Sequence, residues 1–221
     1  MSDDQLPRNV IIRPYEARDR DAVWKICCDT ADQGNPVEKI FRDREVAADF
    51  LIRYYAEYEP ESMWVAEEKG QVIGYLSGCL NNHRYRQVMM WPLGPKAVLK
   101  AIGRGLFLSQ QTWQFLWRVL RSALEGRWPC SIPEDVYPGH LHVNVEQGFR
   151  GHEVGRRLVE RFCEQAHAAG LRGVYASVNA HNTSACQFFE RLHFVSVGPS
   201  PTVPVEKKQP IPDRVIYGIQ F

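Results

Sequence analysis

Apolar residues recur every three to four positions in two early segments, residues 18–30 and residues 44–58. This spacing places them on one face of a helix, so two amphipathic helices are predicted there. Asp19 is a candidate N-cap for the first helix. Pro60 cannot continue the second helix, which is therefore expected to end before it.

Elsewhere the pattern changes to short β-branched and aromatic runs, which predict strands. The predicted strands are residues 9–15, 63–68, 72–80, 140–145, 174–180, 194–197 and 215–219. Two later helical patterns, residues 155–168 and 183–192, lie between them, and the proline-rich residues 198–213 are expected to form a loop. This mixed order predicts an α+β protein with helices on both sides of a central sheet.

Residues 82–136 interrupt this order and differ in composition. They hold eight Lys or Arg against three Asp or Glu, and four of the six tryptophans of the chain. Trp113, Trp117, Leu120 and Leu124 recur at helical spacing. We expect one or two amphipathic helices that pack an apolar stripe on the main domain and turn a basic face to solvent. The pattern leaves open a lid over an acceptor site, a dimer contact or a contact with a membrane surface.

The composition of the chain excludes several classes of protein. Of its 221 residues, 44% are hydrophobic and 24% are charged, which is typical of a globular domain and not of a disordered or fibrous chain. Lys and Arg number 27 and Asp and Glu number 26, so no nucleic-acid partner is expected. The sequence holds no run long enough to span a membrane, and its start has no signal-peptide pattern. Because the six cysteines form no CxxC pair, we expect no metal site, no disulfide framework and a cytoplasmic protein with reduced thiols.

The segment with the clearest chemistry is residues 140–158, HLHVNVEQGFRGHEVGRRL. A predicted strand runs into a glycine-containing loop that opens a predicted helix. Unpaired backbone N–H groups and the helix dipole favour an anion at such a point, and Arg150, Arg156 and Arg157 add positive charge. Neither a P-loop nor a Rossmann glycine pattern is present, so a phosphorylated cofactor of another type is expected.

The loop resembles the pyrophosphate loop of the GNAT acyltransferases, R/Q-x-x-G-x-G/A, which stands here as residues 150–155. A second block of that family, N-x-x-A-x-x-F-Y-x-x-x-G-F, stands here as residues 182–194. The two blocks occur in the family's order, and the opening VIIRPY followed by a helix is also similar to it. More loosely, WKICCDTADQG (24–34) and YPGHLHVNV (137–145) resemble the acetyltransferase-like domains found with O-GlcNAcase.

The resemblance implies a GNAT acyl-CoA N-acyltransferase fold with α/β/α layers. Its central sheet is mixed and mostly antiparallel, with one splayed pair of strands where pantetheine pairs with exposed backbone groups. A single domain over residues 1–221 is expected, with a helical insertion at about residues 82–136. The residues that the resemblance assigns to acetyl-CoA, or to another acyl-CoA, are Val143, Val145, Arg150, Gly151, His152, Glu153, Val154, Gly155, Arg156, Asn182, Ser184 and Phe188. Asn182 is also suited to cap the helix that follows it.

Three positions depart from the family pattern. Glu153 replaces the middle glycine of the loop, so a carboxylate is expected near the phosphates and the turn is expected to be reshaped. Phe189 replaces the tyrosine that commonly protonates the leaving thiolate, for which Cys186 and Tyr217 are either substitutes or plain core residues. His193 stands where the family has a glycine after the helix, at a small cost if the backbone there is left-handed.

The strand before the loop carries the candidates for a general base. Alternation puts His140, His142 and Asn144 on one face of it and the valines on the other. His142 and His140 are candidate bases that titrate near neutral pH, with Glu146 as an alternative, although a lone strand histidine is commonly structural. Asn144 is a candidate to position water or substrate, since an amide cannot act as a base.

We therefore expect an acyl-CoA-dependent N-acyltransferase, most simply an N-acetyltransferase, that transfers acetyl directly to the amine of a small molecule or peptide. The alternative is a catalytically silent GNAT-like module that binds acyl-CoA or a protein, and Glu153 and Phe189 favour it. A monomer and a homodimer are both compatible with the sequence.

Overall fold

The computed structural model describes residues 9–31, 34–39, 43–108, 110, 112–113, 117, 121, 132–200 and 214–221. Their strands are β1 (Val10–Pro14), β2 (Met63–Glu68), β3 (Gln71–Cys79), β4 (Gly139–Val145), β5 (Gly173–Asn179), β6 (Val195–Ser200) and β7 (Arg214–Gln220). Their longer helices are α1 (Arg20–Thr30), α2 (Arg44–Leu51), α3 (Arg53–Tyr58), α4 (Asn82–Val88), α5 (Gly94–Gly103), α6 (Val154–Ala168) and α7 (Thr183–Arg191).

The described strands form one sheet in the order β1-β2-β3-β4-β5-β7-β6. Every neighbouring pair is antiparallel except β4 and β5. The β3–β4 ladder runs from Gly74 opposite Val145 to Cys79 opposite His140. The parallel β4–β5 ladder is much shorter and ends where His140 lies opposite Tyr175. The two strands separate beyond that pair, which confirms the predicted mixed, mostly antiparallel sheet with a splayed pair.

Helices cover both faces of the sheet. On one face α6 and α7 pack over β4, where Leu141 and Phe162 share a buried apolar cluster. On the other face lie α1 and α3, and Tyr55 and Tyr75 are each 1% exposed there. Because side chains alternate along a strand, the two histidines of β4 and Asn144 share this second face with the tyrosines. The face is therefore buried and unusually polar.

Tertiary contacts change two of the predicted helix boundaries. Asp19 does not cap α1, because its carboxylate accepts hydrogen bonds from Arg13 at 2.7 Å and from the N–H of Glu16 at 2.9 Å. The helix predicted over residues 44–58 is interrupted at Ile52, where φ is −126° and ψ is −29°. Ile52 is buried, so the interruption places its side chain in the core between α2 and α3.

Strand β6 is longer than predicted. It continues through Pro199 to Ser200, so the prediction of a loop over residues 198–213 is wrong for its first three residues. β6 is an edge strand, and a proline there need not donate to a further neighbour. Residues 201–213 lie outside the described residues.

The part of the insertion that the structure describes before residue 109 is helical, as predicted, but the polarity of α5 is the reverse of the prediction. Lys100 Nζ lies 2.7 Å from Asp49 Oδ2, and Arg104 Nη1 lies 2.8 Å from Asp43 Oδ2. The carboxylate of Asp49 is almost fully buried and needs a cation, which draws Lys100 of α5 inward. The large apolar residues of α5 instead face solvent; these are Val98, Leu99 and Ile102.

Other predictions for the chain concern membranes, metals and thiols. In the described ranges, no helix has the length and apolar character needed to cross a membrane. Within the same ranges, no three His, Cys, Asp or Glu side chains lie close enough together to hold a metal ion. The cysteines that the structure describes are free thiols; they are Cys27, Cys28, Cys79, Cys163 and Cys186. Cys130, Leu120 and Leu124 lie outside the described residues.

Gly78 of β3 offers a test of how closely α6 packs on the sheet. A Cβ at Gly78 would lie 2.0 Å from Cε2 of Phe162, a side chain with no exposed surface. We expect Gly78→Ala to lower the free energy of unfolding by about 1–3 kcal/mol, because an overpacked core must shift. Urea denaturation measures this change.

Gly103→Ala is the matched control, because a Cβ there meets no atom within 4 Å. At the end of α5 it should change the free energy of unfolding by less than about 1 kcal/mol, in the stabilising direction. Equal stability of the two variants would contradict the packing of α6 on β3.

Candidate active site

The separation of β4 from β5 leaves an opening lined by the backbone of β4. The N–H of Glu146 donates to the carbonyl of Ile73 on β3 at 2.9 Å. In an antiparallel ladder alternate residues direct both backbone groups to the same neighbour. Asn144 and the histidines therefore pair with β3, whereas Val143 and Val145 direct their backbone groups into the opening. An extended ligand can pair with these groups as an added strand.

The loop that follows β4 brings the start of α6 to the end of this opening. Gly151 has a φ of 80°, which glycine adopts without strain. A Cβ on Gly155 would lie 3.3 Å from the ring of Phe188, so the absence of a side chain lets α6 begin close against α7. The first N–H groups of α6 have no partner within their own helix, and the helix dipole favours an anion beside them.

The turn at Glu153 has the backbone conformation that a glycine would adopt, so the expected reshaping of the turn is not observed. Its φ of 62° and ψ of −2° are left-handed, the conformation glycine would take most readily, at a strain cost of about 1–3 kcal/mol for a residue with a side chain. Its carboxylate is 61% exposed and lies 3.0 Å from the guanidinium of Arg156. The negative charge is thus screened by solvent and by a neighbouring cation.

Two other loop residues hold the loop's own backbone. Arg150 Nε donates to the carbonyl of Val145 at 3.0 Å, which occupies one of the acceptors that face the opening. The Nδ1–H of His152 donates to the carbonyl of Arg150 at 2.9 Å. Both side chains are exposed at the surface of the loop.

His140 is held in a closed hydrogen-bonded chain. Asn82 Nδ2 donates to the carbonyl of Tyr137 at 3.1 Å, so Asn82 Oδ1 is left to accept from His140 Nδ1 at 2.5 Å. The Nε2 atom then accepts from the hydroxyl of Tyr55 at 2.7 Å. Burial, and then the neighbouring His142, hold the pKa of His140 well below its usual value. The ring is neutral and both of its nitrogens are engaged.

His142 lies beside His140 on the same face but in a different environment. Its ring centroid is 5.6 Å from that of His140 and 6.1 Å from that of Tyr55, both in edge-on contact. Burial, with a contribution from the positive charge of Arg214, lowers the pKa of His142 to about 4. His142 is therefore neutral at pH 7 and has a lone pair that can accept a proton.

The positioning candidate Asn144 and the alternative base Glu146 lie farther along the chain. Asn144 Nδ2 donates to the hydroxyl of Tyr75 at 2.8 Å, which fixes the amide beside the opening. Glu146 lies at the outer end of β4, partly exposed and 4.0 Å from Lys25 Nζ. The fold thus brings His140, His142 and Asn144 together and leaves Glu146 at the mouth.

The second sequence block forms α7, which covers the other side of the opening. Asn182 is its N-cap and accepts from the N–H of Ala185 at 3.1 Å. Phe189 is buried, with ring centroids 5.1 Å from Phe188 and 5.2 Å from Phe194. Ser184 is exposed on the first turn of the helix.

The candidate substitutes for the missing tyrosine have partners of their own. The hydroxyl of Tyr217 donates to Glu190 Oε1 at 2.8 Å, and burial raises the pKa of Tyr217 further. Cys186 Sγ lies 3.8 Å from the carbonyl of Asn179. His193 has a φ of 64°, so its backbone is left-handed, as the family's glycine position led us to expect.

Sequence reasoning missed Arg214, the first residue of β7. Its Nη2 donates to the carbonyl of Ser177 on β5 at 2.9 Å. The N–H of Phe221 donates to the carbonyl of Arg172 at 2.9 Å, so Arg172 and every second residue after it direct their backbone groups to β7. The carbonyl of Ser177 therefore points away from β7 and into the opening. No local pattern marks Arg214, because it follows a proline-rich stretch and reaches β5 only through the β5–β7 ladder.

Comparison with known proteins agrees with this geometry. Residues 126–194 match the sequence model of the acetyltransferase (GNAT) family, a range that includes β4, the loop and both sequence blocks. The structure of SsHAT superposes with a TM-score of 0.70 and 25% identity, over 96% of this chain and 98% of that one. The chain is thus similar to GNAT acetyltransferases in sequence over residues 126–194 and to SsHAT in fold over nearly its whole length.

Two further GNAT-like structures show the same fold at lower identity. The N-acetyltransferase from Staphylococcus aureus Mu50 has a TM-score of 0.56 and 16% identity, over 96% of this chain and 98% of that one. The yncA protein from Salmonella typhimurium, solved with its cofactor acetyl-CoA, has a TM-score of 0.56 and 18% identity, over 96% of this chain and 94% of that one. The sequence match and these solved structures support an N-acetyltransferase.

The depressed pKa of His142 makes the stability of this protein depend on pH. A histidine in the unfolded chain has a pKa near 6.5, whereas the pKa of His142 in the folded protein is about 4. The free energy of unfolding should therefore fall as pH drops from 6.5, by at most about 1.4 kcal/mol per pH unit for this group. His142→Asn should flatten the decline between pH 6.5 and 5 in urea melts.

The exposed His152 supplies the matched control for this measurement. His152→Asn should leave the pH dependence of the free energy of unfolding as it is in the wild type. An unchanged slope in His142→Asn would show that His142 is not buried as described.

Proposed function

We propose that this chain is an acetyl-CoA-dependent N-acetyltransferase that acts on the amine of a small molecule or peptide. The observation that carries the proposal is the opening between β4 and β5, which ends at the loop and the start of α6. A protein of the same fold, yncA, was solved with acetyl-CoA, which supports this choice of cofactor. We propose a single domain over residues 1–221 with residues 82–136 as its insertion, and the cytoplasm as its compartment because the described thiols are free.

The residues present fit an acyl-CoA. The backbone groups of Val143 would pair with pantetheine, the N–H of Val145 would face the thioester end of the cofactor, and the backbone N–H groups from Gly151 to Arg156 would hold the pyrophosphate. His152, Glu153 and Val154 belong to that turn, and Gly155 keeps α7 close. Arg150 would then act by holding the turn, and Asn182, Ser184 and Phe188 would border the cofactor from α7.

Bound acetyl-CoA supplies an activated acyl group, whose bond to sulfur is replaced by a bond to the amine nitrogen while the amine loses a proton. We assign the removal of that proton to His142, directly or through one water. His142 is neutral at pH 7 and is not tied into the chain that engages His140. Asn144, held by Tyr75, would orient the acceptor or the water.

The other base candidates have weaker claims. Both ring nitrogens of His140 are engaged, so we assign it to positioning Tyr55 and Asn82. Glu146 is partly exposed at the mouth and faces Lys25, and it would serve only an acceptor that stops there. The backbone N–H of Val145 faces the opening and would stabilise negative charge that develops on the acyl oxygen.

The buried Phe189 bears on the leaving group. A phenyl ring has no proton to give, and the hydroxyl of Tyr217 is held by Glu190. A free thiol has a pKa near 8.5, so the thiolate is a good leaving group that does not have to be protonated as it departs. It can take its proton from solvent afterwards. The reaction therefore does not depend on a tyrosine at this position.

Titration with acetyl-CoA in a calorimeter, followed by thiol release with a panel of amines, tests the proposal. We expect micromolar binding and thiol release with at least one class of amine. His142→Gln should lower kcat by about 10²- to 10⁴-fold, because general-base help is lost, and leave the Kd for acetyl-CoA within twofold. Binding without thiol release on any amine would favour the silent module, and no binding up to millimolar concentration would overturn the proposal.

Glu153 allows a second test, on the affinity of the loop. Two like charges about 4 Å apart in water repel by ~1 kcal/mol, so Glu153→Gln should tighten acetyl-CoA binding about fivefold. It should also free Arg156 from its ion pair. Calorimetric Kd values at low salt measure the change.

Glu160→Gln is the control for Arg156, because Glu160 is the second partner of that guanidinium at 3.3 Å. It lies a turn inside α6, so it should change the Kd by less than twofold. Equal effects of the two variants would show that pyrophosphate does not bind at Glu153.

A further inference from the structure

We propose that the acceptor of this enzyme is a small amino carboxylate, such as an α-amino acid, and that Arg214 binds its carboxylate. The inference rests on the proposed acetyl transfer and goes beyond it by naming the chemical class of the acceptor. It is built on two buried polar atoms near His142, Arg214 Nε and Ser77 Oγ, that have no hydrogen-bond partner among the described residues.

The first of these groups is the guanidinium of Arg214. One of its nitrogens holds the Ser177 carbonyl, and the Nε atom is buried without any hydrogen-bond partner. In the described residues no carboxylate forms an ion pair with Arg214. Its Nε atom is buried, and burial lowers the pKa of Arg214. An unpaired buried charge is costly, and an anion that binds there recovers that cost.

The second group is the hydroxyl of Ser77 on β3. Ser77 lies directly opposite His142 in the β3–β4 ladder, so both side chains are on the acceptor face. The hydroxyl is fully buried and has no hydrogen-bond partner in the part of the chain that the structure describes. A buried hydroxyl left without a partner costs about 1–3 kcal/mol, so a polar ligand or a bound water is expected beside it.

The two groups flank the proposed base. Arg214 binds the Ser177 carbonyl on the β5 side of the opening, and Ser77 lies directly opposite His142 on the β3 side. The charge of Arg214 also contributes to the lowered pKa of His142. A molecule whose amine and carboxylate are only a few atoms apart can reach His142 and Arg214 at the same time. Arginine suits this role because its planar fork pairs with both oxygens of a carboxylate.

The experiment measures CoA thiol release with the wild-type protein and a set of amino acids, each compared with its own amide. The amide keeps the amine and side chain but has no negative charge. We expect kcat/KM to be at least tenfold higher for the free acids. Thiol release that is equal for acids and amides would overturn the inference and leave the proposed acetyl transfer intact. No thiol release with any amine would instead count against the proposed function.

Variants of Arg214 test whether this residue binds the carboxylate of the acceptor. Arg214→Met should raise KM for the amino acids at least tenfold, change kcat less, and leave kcat/KM for the amides unchanged. Arg214→Lys should restore part of the loss, because it keeps the charge but not the fork. Arg191→Met, an exposed site on α7, is the matched control and should change neither parameter.

A purely structural role predicts a different result. If Arg214 only holds the Ser177 carbonyl, Arg214→Met lowers kcat/KM equally for acids and amides, and the inference is wrong. An unchanged Kd for acetyl-CoA shows that the variant is folded. If the variant does not fold, the comparison of acids with amides in the wild type still decides the matter.

Discussion

The constraint on which the site depends is the early end of the β4–β5 ladder. Two parallel strands that separate leave backbone donors and acceptors on both sides, and these groups need partners. Arg150, from the loop, donates to the carbonyl of Val145, and Arg214, from β7, donates to the carbonyl of Ser177. Both carbonyls face the opening. Guanidinium groups thus satisfy part of the broken ladder and leave the backbone of Val143 and the N–H of Val145 facing the opening.

Two histidines lie on the same face of the sheet beside the opening, but they have different partners. His140 and His142 are two residues apart on one strand, yet His140 is enclosed between Tyr55 and Asn82 whereas His142 adjoins Arg214 and Ser77. Burial keeps both rings neutral at pH 7. The enclosed ring of His140 has both nitrogens engaged, which is why we propose His142 and not His140 as the base.

Several family departures have local physical solutions. Glu153 accepts a left-handed backbone and turns its carboxylate to solvent and Arg156. Phe189 fills an aromatic cluster with Phe188 and Phe194. The basic residues of α5 are bound to Asp43 and Asp49, which leaves its large apolar residues exposed.

The sequence by itself determined the order of the elements, the mixed sheet and the loop at the start of α6, because period, glycine spacing and family blocks are local signals. The shared face of His140, His142 and Asn144 also followed from alternation along one strand. Only the tertiary structure decided which histidine is enclosed, that Arg214 reaches the opening, and that α5 turns its charges inward. Each of these depends on partners far away in the chain, and a buried charge or ring nitrogen is satisfied by whatever group the fold brings beside it.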